Sequence, residues 1–337
     1  MNLVAAFARR LLVCGATLLM ASVLLFAALR VLPGDPAALA VPPAATAEEI
    51  EEMQRAVGFD RSLPGQYAAW LGGVLSGDFG WSEQLGRPVA AVLAEAVPAT
   101  VELALVAMAI AAVLGLSGGL VLFMLRAEGG RAEGRAALSE TGTTLLLSVP
   151  EFLWALLFIL VFGVALEALP VTGRLDADVA RPVVSGFLLL DTLLVGDVAA
   201  FLSAARRMVL PALALGVAVA PPVMRALRAA LIEVYRSDYI HQARLRGVSE
   251  AQVLLGHALR NAALPILPVL GLQFGLLVGG SLLVEVIFAY PGMGGLMVDA
   301  VRNGDLAVIQ AVGLVYCALV LAVGSLLGGL RARLAPR

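Results

Sequence analysis

The chain reads as an all-α membrane protein with six transmembrane helices and an extracytoplasmic region after the first. Composition predicts the class: 61% of residues are apolar and 14% charged, with a mean hydropathy of +0.94, outside the usual range of soluble domains. Pattern predicts the count, because apolar runs near the roughly 20 residues needed to cross a hydrocarbon core recur along the sequence. One charged, periodic, glycine-broken stretch from Leu227 to Pro268 interrupts them.

Arg9 and Arg10 precede the run Leu11 to Leu29, which is longer than a signal-peptide core of roughly 7–15 residues. Residues 1–32 are therefore expected to hold an uncleaved first span. Residues 33–97 carry nine acidic residues against three Arg and form the first sizeable extramembrane region. There Thr46 and Glu49 have the capping-box form, starting a helix that Gly58 can end. Tyr67, Trp70, Leu71, Val74 and Leu75 make an apolar stripe suited to the membrane interface or to a neighbouring span.

The second span is expected over Pro98 to Leu125, with Glu102 in a first turn that favours a carboxylate. A loop with Arg126, Arg131 and Arg135 follows, then a third span from Thr143 to Leu169. Glu151 lies inside that span, where an ionisable group is costly and usually faces a cavity or a partner. Residues 170–207 form a second external loop, with an apolar patch from Val183 to Val195 too short to span. The fourth span, Met208 to Leu231, contains Pro221 and Pro222; the fifth covers Leu264 to Phe288 and the sixth Leu306 to Leu330. Gly115 with Gly119, Gly271 with Gly275 and Gly279, and Gly324 with Gly328 mark faces where helices can approach closely.

With the amino end inside, the inner segments collect 14 of the 23 Arg, in agreement with the positive-inside rule. Both termini and the stretch 232–263 are then cytoplasmic. In that stretch the apolar residues from Leu231 to Leu245 fall at helical spacing, Gly247 breaks the run, and Ser249 with Gln252 forms a second capping box. Two short helices meeting at a glycine bend are expected.

Several function classes drop out. A net charge of −2 without a basic–aromatic cluster gives no nucleic-acid surface. Cys14 and Cys317 lie in apolar runs, so neither a disulfide framework nor a metal site is expected. No HExxH or nucleophile elbow is present, and Ser281 after Gly279 and Gly280 lacks a His at membrane depth to act as base. All 23 basic residues are Arg, so no P-loop lysine exists and any ATP must be bound elsewhere.

Ala243, Gly247 and the downstream Leu264-Pro265, within DYIHQARLRGVSEAQVLLGHALRNAALPILPVLGLQ, resemble the Glu-Ala-Ala loop of permease subunits of bacterial ABC importers. RVLPGDP, GRPVAAVLAEAVPATVELAL, SVPEFLWAL and VEVIFAYPGMGGLMVDAV extend the likeness, which is closest to the oligopeptide, dipeptide and nickel permease family. The chain departs from it at His241 and Gln242, where the family often carries basic residues.

The resemblance implies a type I ABC importer permease core over 98–337 that moves di- or oligopeptides by alternating access. Nickel or a metal chelate is the alternative cargo within the family. It implies a second permease chain, two ATPase subunits holding ATP and Mg, an extracytoplasmic substrate-binding protein, and an inner-membrane location in contact with lipid. The chain itself would hold no cofactor or metal and catalyse nothing. Asp238, Tyr239, Ala243, Arg244, Arg246, Gly247 and Ser249 would form the ATPase-coupling loop; Glu151 and Glu285 are candidates for the translocation path. An ion-coupled secondary transporter and a purely structural membrane protein remain open, the former weakened by the lack of a visible internal repeat.

Overall fold

The computed structural model describes residues 3–31, 62–127, 141–146 and 148–334. The capping box at Thr46 and Glu49, Gly58, Arg131 and Arg135 lie outside these residues. The chain divides into two compact units, Met1–Thr100 with Pro291–Leu321, and Val101–Tyr290 with Ala322–Arg337.

In the first unit, α1 (Leu3–Val31) and α2 (Leu63–Leu75) are joined by aromatic packing. Phe26 meets Tyr67 edge-on at 5.5 Å and Trp70 at 5.8 Å between ring centroids. Ser22 Oγ and Tyr67 Oη share a 2.8 Å hydrogen bond. The interfacial stripe thus settles partly on the first span, while Leu75 at its end stays 80% exposed. A two-residue hairpin, β1 (Trp81–Ser82) and β2 (Arg87–Pro88), pairs antiparallel with Ser82 opposite Arg87. Ser82 Oγ donates to Asp305 Oδ2 at 2.5 Å, and Asp305 Oδ1 accepts from the Val308 N–H at 3.2 Å. One carboxylate therefore ties the hairpin to the helix start it caps. Val89, Leu93, Met293, Val308 and Val312 form the core beneath. They come from α3 (Val89–Ala127), α11 (Met293–Asn303) and α12 (Leu306–Leu334).

The second unit is built around α6 (Val198–Tyr235), which packs against α4 (Glu151–Phe158), α5 (Leu188–Val195) and α10 (Ile266–Ile287). Its apolar stretch is 61% buried, more than any other candidate span. Glycines set its approach to α3. A Cβ on Gly119 would stand 2.8 Å from the Met224 carbonyl oxygen, and one on Gly216 would stand 3.0 Å from that of Ala107. Only a residue without a side chain permits backbones to cross this closely. Gly271 likewise lies against Leu327, whereas a Cβ on Gly279 would meet nothing within 4 Å.

Several expected boundaries move. The second span begins at Val89, and Pro98 sits inside the helix instead of opening it, as membrane helices tolerate when neighbours re-satisfy the backbone. Glu102 is consequently mid-helix and gains nothing from its own helix's dipole. The fourth helix starts at Val198, ahead of Met208, and continues through Pro211, Pro221 and Pro222. Five described helices have the length and hydropathy to span, while the third expected span is interrupted. Its described parts are a helical segment at 141–146 and the 15-residue stretch from Glu151 to Ala165, whose last seven residues are π-helical. Pro150 stands at the break as N-cap of α4.

Candidate functional site

The glycine-bent loop is an elbow with a buried inner face and an exposed outer one. The helical spacing predicted one run to Leu245, but α6 stops at Tyr235 and α7 (Asp238–Leu245) restarts after Ser237. Ile240 on α7 is fully buried among Leu227, Leu231, Val253, Ala258 and Ile266, with Ala243 and Val248 packed at the edge. After α7 the Val248 N–H bonds to the Ala243 carbonyl at 3.2 Å and the Gly247 N–H to that of Arg244 at 2.9 Å. This is the Schellman pairing, and Gly247 takes the left-handed φ of +81° that it needs. Ser249 Oγ then accepts the Gln252 N–H at 3.4 Å, starting α8 (Glu250–Gln252), a π turn (Val253–Ala258) and α9 (Leu259–Ala263).

A clamp closes the elbow. Arg244 Nε donates to Glu250 Oε1 at 2.6 Å, and the Arg244 guanidinium lies 5.2 Å from the centre of the Tyr235 ring. The hydrogen bond and charge of Arg244 hold the Glu250 carboxyl below its ordinary value, so the pair stays ionised. Asn261 Nδ2 donates to Tyr239 Oη at 2.8 Å, tying α9 back to α7.

These contacts sort the predicted loop residues. Ala243, Arg244, Gly247 and Ser249 shape the elbow, whereas Asp238, Tyr239 and Arg246 stand on its outer face. His241 and Gln242 are exposed beside them. Sequence reasoning missed Leu245, which is 75% exposed at the apex of the bend. Its signal was an apolar residue between two arginines at a helix end.

The acidic residues also separate. Glu285 is fully buried on α10, with Ser281 Oγ donating to its Oε1 at 3.3 Å. Glu151 is half-buried in the first turn of α4, its Oε1 only 2.6 Å from where a Cβ on Gly280 would lie. Glu102, expected in the first turn of its helix, is instead mid-helix, buried and paired. It accepts from Arg174 Nη2 at 2.6 Å and from the N–H groups of Leu188 and Leu189 at 3.2 and 2.7 Å. It therefore neutralises both a buried arginine and the N-terminus of α5, tying the loop around Arg174 to α5. Arg174 sits 5.9 Å from the Tyr290 ring centre, and burial pushes the Tyr290 hydroxyl pKa up. Asp191 is a second staple: fully buried, it accepts from the backbone N–H groups of Val184, Ser185 and Gly186 and from Ser185 Oγ. Burial alone would raise its pKa, but these four donors hold it down at about 2.

Among the described residues no group of three or more His, Cys, Asp or Glu side chains could hold a metal ion. What remains is a bundle of apolar helices ending in a stiff, exposed elbow. Over residues 135–337 the sequence matches the family model described as "Binding-protein-dependent transport system inner membrane component", and over 3–104 the corresponding N-terminal model. The chain belongs to this family. The permease is 37% identical over 325 residues to the di/tripeptide transport system permease protein DppB of Pseudomonas aeruginosa (strain UCBPP-PA14), covering 94% of this chain and 93% of that protein. It is 37% identical over 303 residues to the glutathione transport system permease protein GsiC of Escherichia coli (strain K12), covering 90% and 88%. A solved structure of the MetNI methionine ABC transporter in inward-facing conformations shares the fold. That likeness has a TM-score of 0.55 at 16% identity, over 73% of this chain and 97% of the other. The permease is thus a multi-pass inner-membrane subunit of an ABC importer, with the type I fold expected from its sequence.

Proposed function

We propose that the permease carries di- or oligopeptides across the cytoplasmic membrane by alternating access, driven by two separate ATPase subunits that bind ATP and Mg. It acts with a second permease chain and receives cargo from an extracytoplasmic binding protein. Both termini and the elbow face the cytoplasm, and residues 33–97 the outside. The names of its peptide- and glutathione-transporting relatives support the cargo class.

The observation that carries the coupling role is the elbow, anchored inside by Ile240 and presenting Asp238, Tyr239, His241, Gln242, Leu245 and Arg246 outside. A docking element must transmit displacement without bending. The αL glycine, the cap at Ser249 and the Arg244–Glu250 clamp supply that stiffness. Leu245 is the apolar anchor of the contact, and closure of the ATPases shifts the elbow and the helices packed on it. In this reading Glu151 and Glu285 belong to the translocation path; Glu151 is unusual in being half-buried at a break in a span.

The test is purification of tagged chain in mild detergent, identification of co-purifying subunits, and dipeptide uptake after reconstitution with ATP inside the vesicles. Recovery of P-loop subunits and ATP-dependent uptake, both reduced by Leu245→Asp at equal permease abundance, is the expected result. Uptake by the chain alone, driven by an ion gradient, would overturn it.

A further inference from the structure

Beside the second external loop, a cavity of about 560 Å³ opens between the end of the interrupted third span and the start of α6. Its walls are mixed. Gly163 and Leu202 contribute apolar surface, while Glu167, Asp176, Ser203 and Arg206 contribute polar groups. The two exposed charges on its rim have opposite sign. Arg206 reaches the Ala168 carbonyl with one nitrogen at 3.3 Å, leaving the rest of its guanidinium for another acceptor. Asp176 is already engaged by Arg207, but among the described residues Glu167 makes no hydrogen bond or ion pair. Its backbone φ is +48°, a strained conformation for a residue with a side chain and one that clusters at ligand clamps.

The level of the cavity identifies the ligand. From Met208 to Met224 α6 carries no charged residue; at about 1.5 Å per residue this run covers roughly 26 Å, near the thickness of a hydrocarbon core. Arg206 sits immediately outside that run, at headgroup depth. On the membrane side of Gly163 the same helical stretch exposes Leu160 and Val161, at 59% and 36%. A ligand here meets a cation and an anion at the rim and apolar side chains beneath.

We propose that this cavity binds one zwitterionic phospholipid, its phosphate on Arg206 and its ammonium on Glu167, with acyl chains along the exposed face of the third span. The shared chemistry is an ammonium–anion pair, which a soluble dipeptide also carries. The lipid is favoured because the apolar surface lies on the membrane side of the charges.

The test is native mass spectrometry of the full chain, purified with the subunits it carries, after exchange into mixed micelles holding equal phosphatidylethanolamine and phosphatidylglycerol. The expected result is retention of one phosphatidylethanolamine in preference to phosphatidylglycerol. Glu167→Gln should lower that preference about fivefold, the scale of one exposed ion pair, and Arg206→Gln should lower retention of both lipids. Millimolar dialanine should not displace the lipid. Equal retention of the two lipids by wild type, or an unchanged preference in Glu167→Gln, would overturn the proposal. Displacement by dialanine would reassign the cavity to a soluble zwitterion.

Discussion

Replacing Arg174 by Met tests whether the loop between the interrupted third span and α5 is held by charge. The side chains of Arg174 and Glu102 are only 5% and 7% exposed, and their closest atoms are 2.6 Å apart. Deleting one partner of such a buried pair leaves the other charge uncompensated, which costs about 3–5 kcal/mol. Here the lower end applies, because Glu102 keeps the N–H groups of Leu188 and Leu189 as donors. Glu102→Leu is the harsher change. It strands Arg174 with the Gly186 carbonyl as its remaining hydrogen-bond acceptor and uncovers two helix-terminal N–H groups, each costing about 1–3 kcal/mol when buried and unpaired. For a unit of roughly 200 residues, each kcal/mol shifts the melting midpoint by about 2–4 °C. Arg174→Met should therefore lower it by about 6–12 °C and Glu102→Leu by more. The assay is thermal unfolding of the purified permease in detergent, read by tryptophan emission. A shift under about 2 °C for Arg174→Met, or a larger loss there than in Glu102→Leu, would refute the staple.

Other outcomes follow from the same geometry. Gly247→Val places a β-branched residue at a φ of +81°, a strain of about 1–3 kcal/mol; membrane insertion should be retained while ATP-dependent uptake falls at least severalfold at equal abundance. Glu151→Gln should reduce uptake at unchanged abundance, whereas Glu102→Gln should reduce abundance itself, so immunoblots and initial rates on the two variants separate path from scaffold. Asp191 contributes stability that is fully present above its unfolded pKa near 4 and is lost as pH falls towards its folded value of about 2; Asp191→Asn should flatten the fall in melting midpoint between about pH 5 and pH 2.

The legible parts of this molecule were those with local causes. Gly247 and the Ser249–Gln252 cap act within a few residues, so the elbow could be drawn from sequence, and the spans announced themselves by hydropathy. The second and fourth spans begin earlier than their composition announces, at Val89 instead of Pro98 and at Val198 instead of Met208. Pro98 lies inside a helix because packing of the surrounding helices outweighs a missing backbone hydrogen bond. The break between Tyr235 and Asp238 was hidden because apolar spacing persists across it. Glu102 was noticed and misread, since its partner Arg174 lies 72 residues away and nothing in either neighbourhood points to the other. Leu245 was passed over because one apolar residue in a helical turn ordinarily faces a core, and only the direction of the bend turns it outward.

The length of α6 has a mechanical corollary. Its 38 residues extend about 57 Å at 1.5 Å per residue, from the stapled loop before Val198 to the elbow beyond Tyr235. A tilt of about 10° about its midpoint carries each end through about 5 Å, in opposite senses. In the orientation proposed above, displacement at the elbow is returned, inverted, at the opposite end of the helix, with Asp197 and α5 travelling along. On that proposal the helix is a lever, and its two ends are the arms.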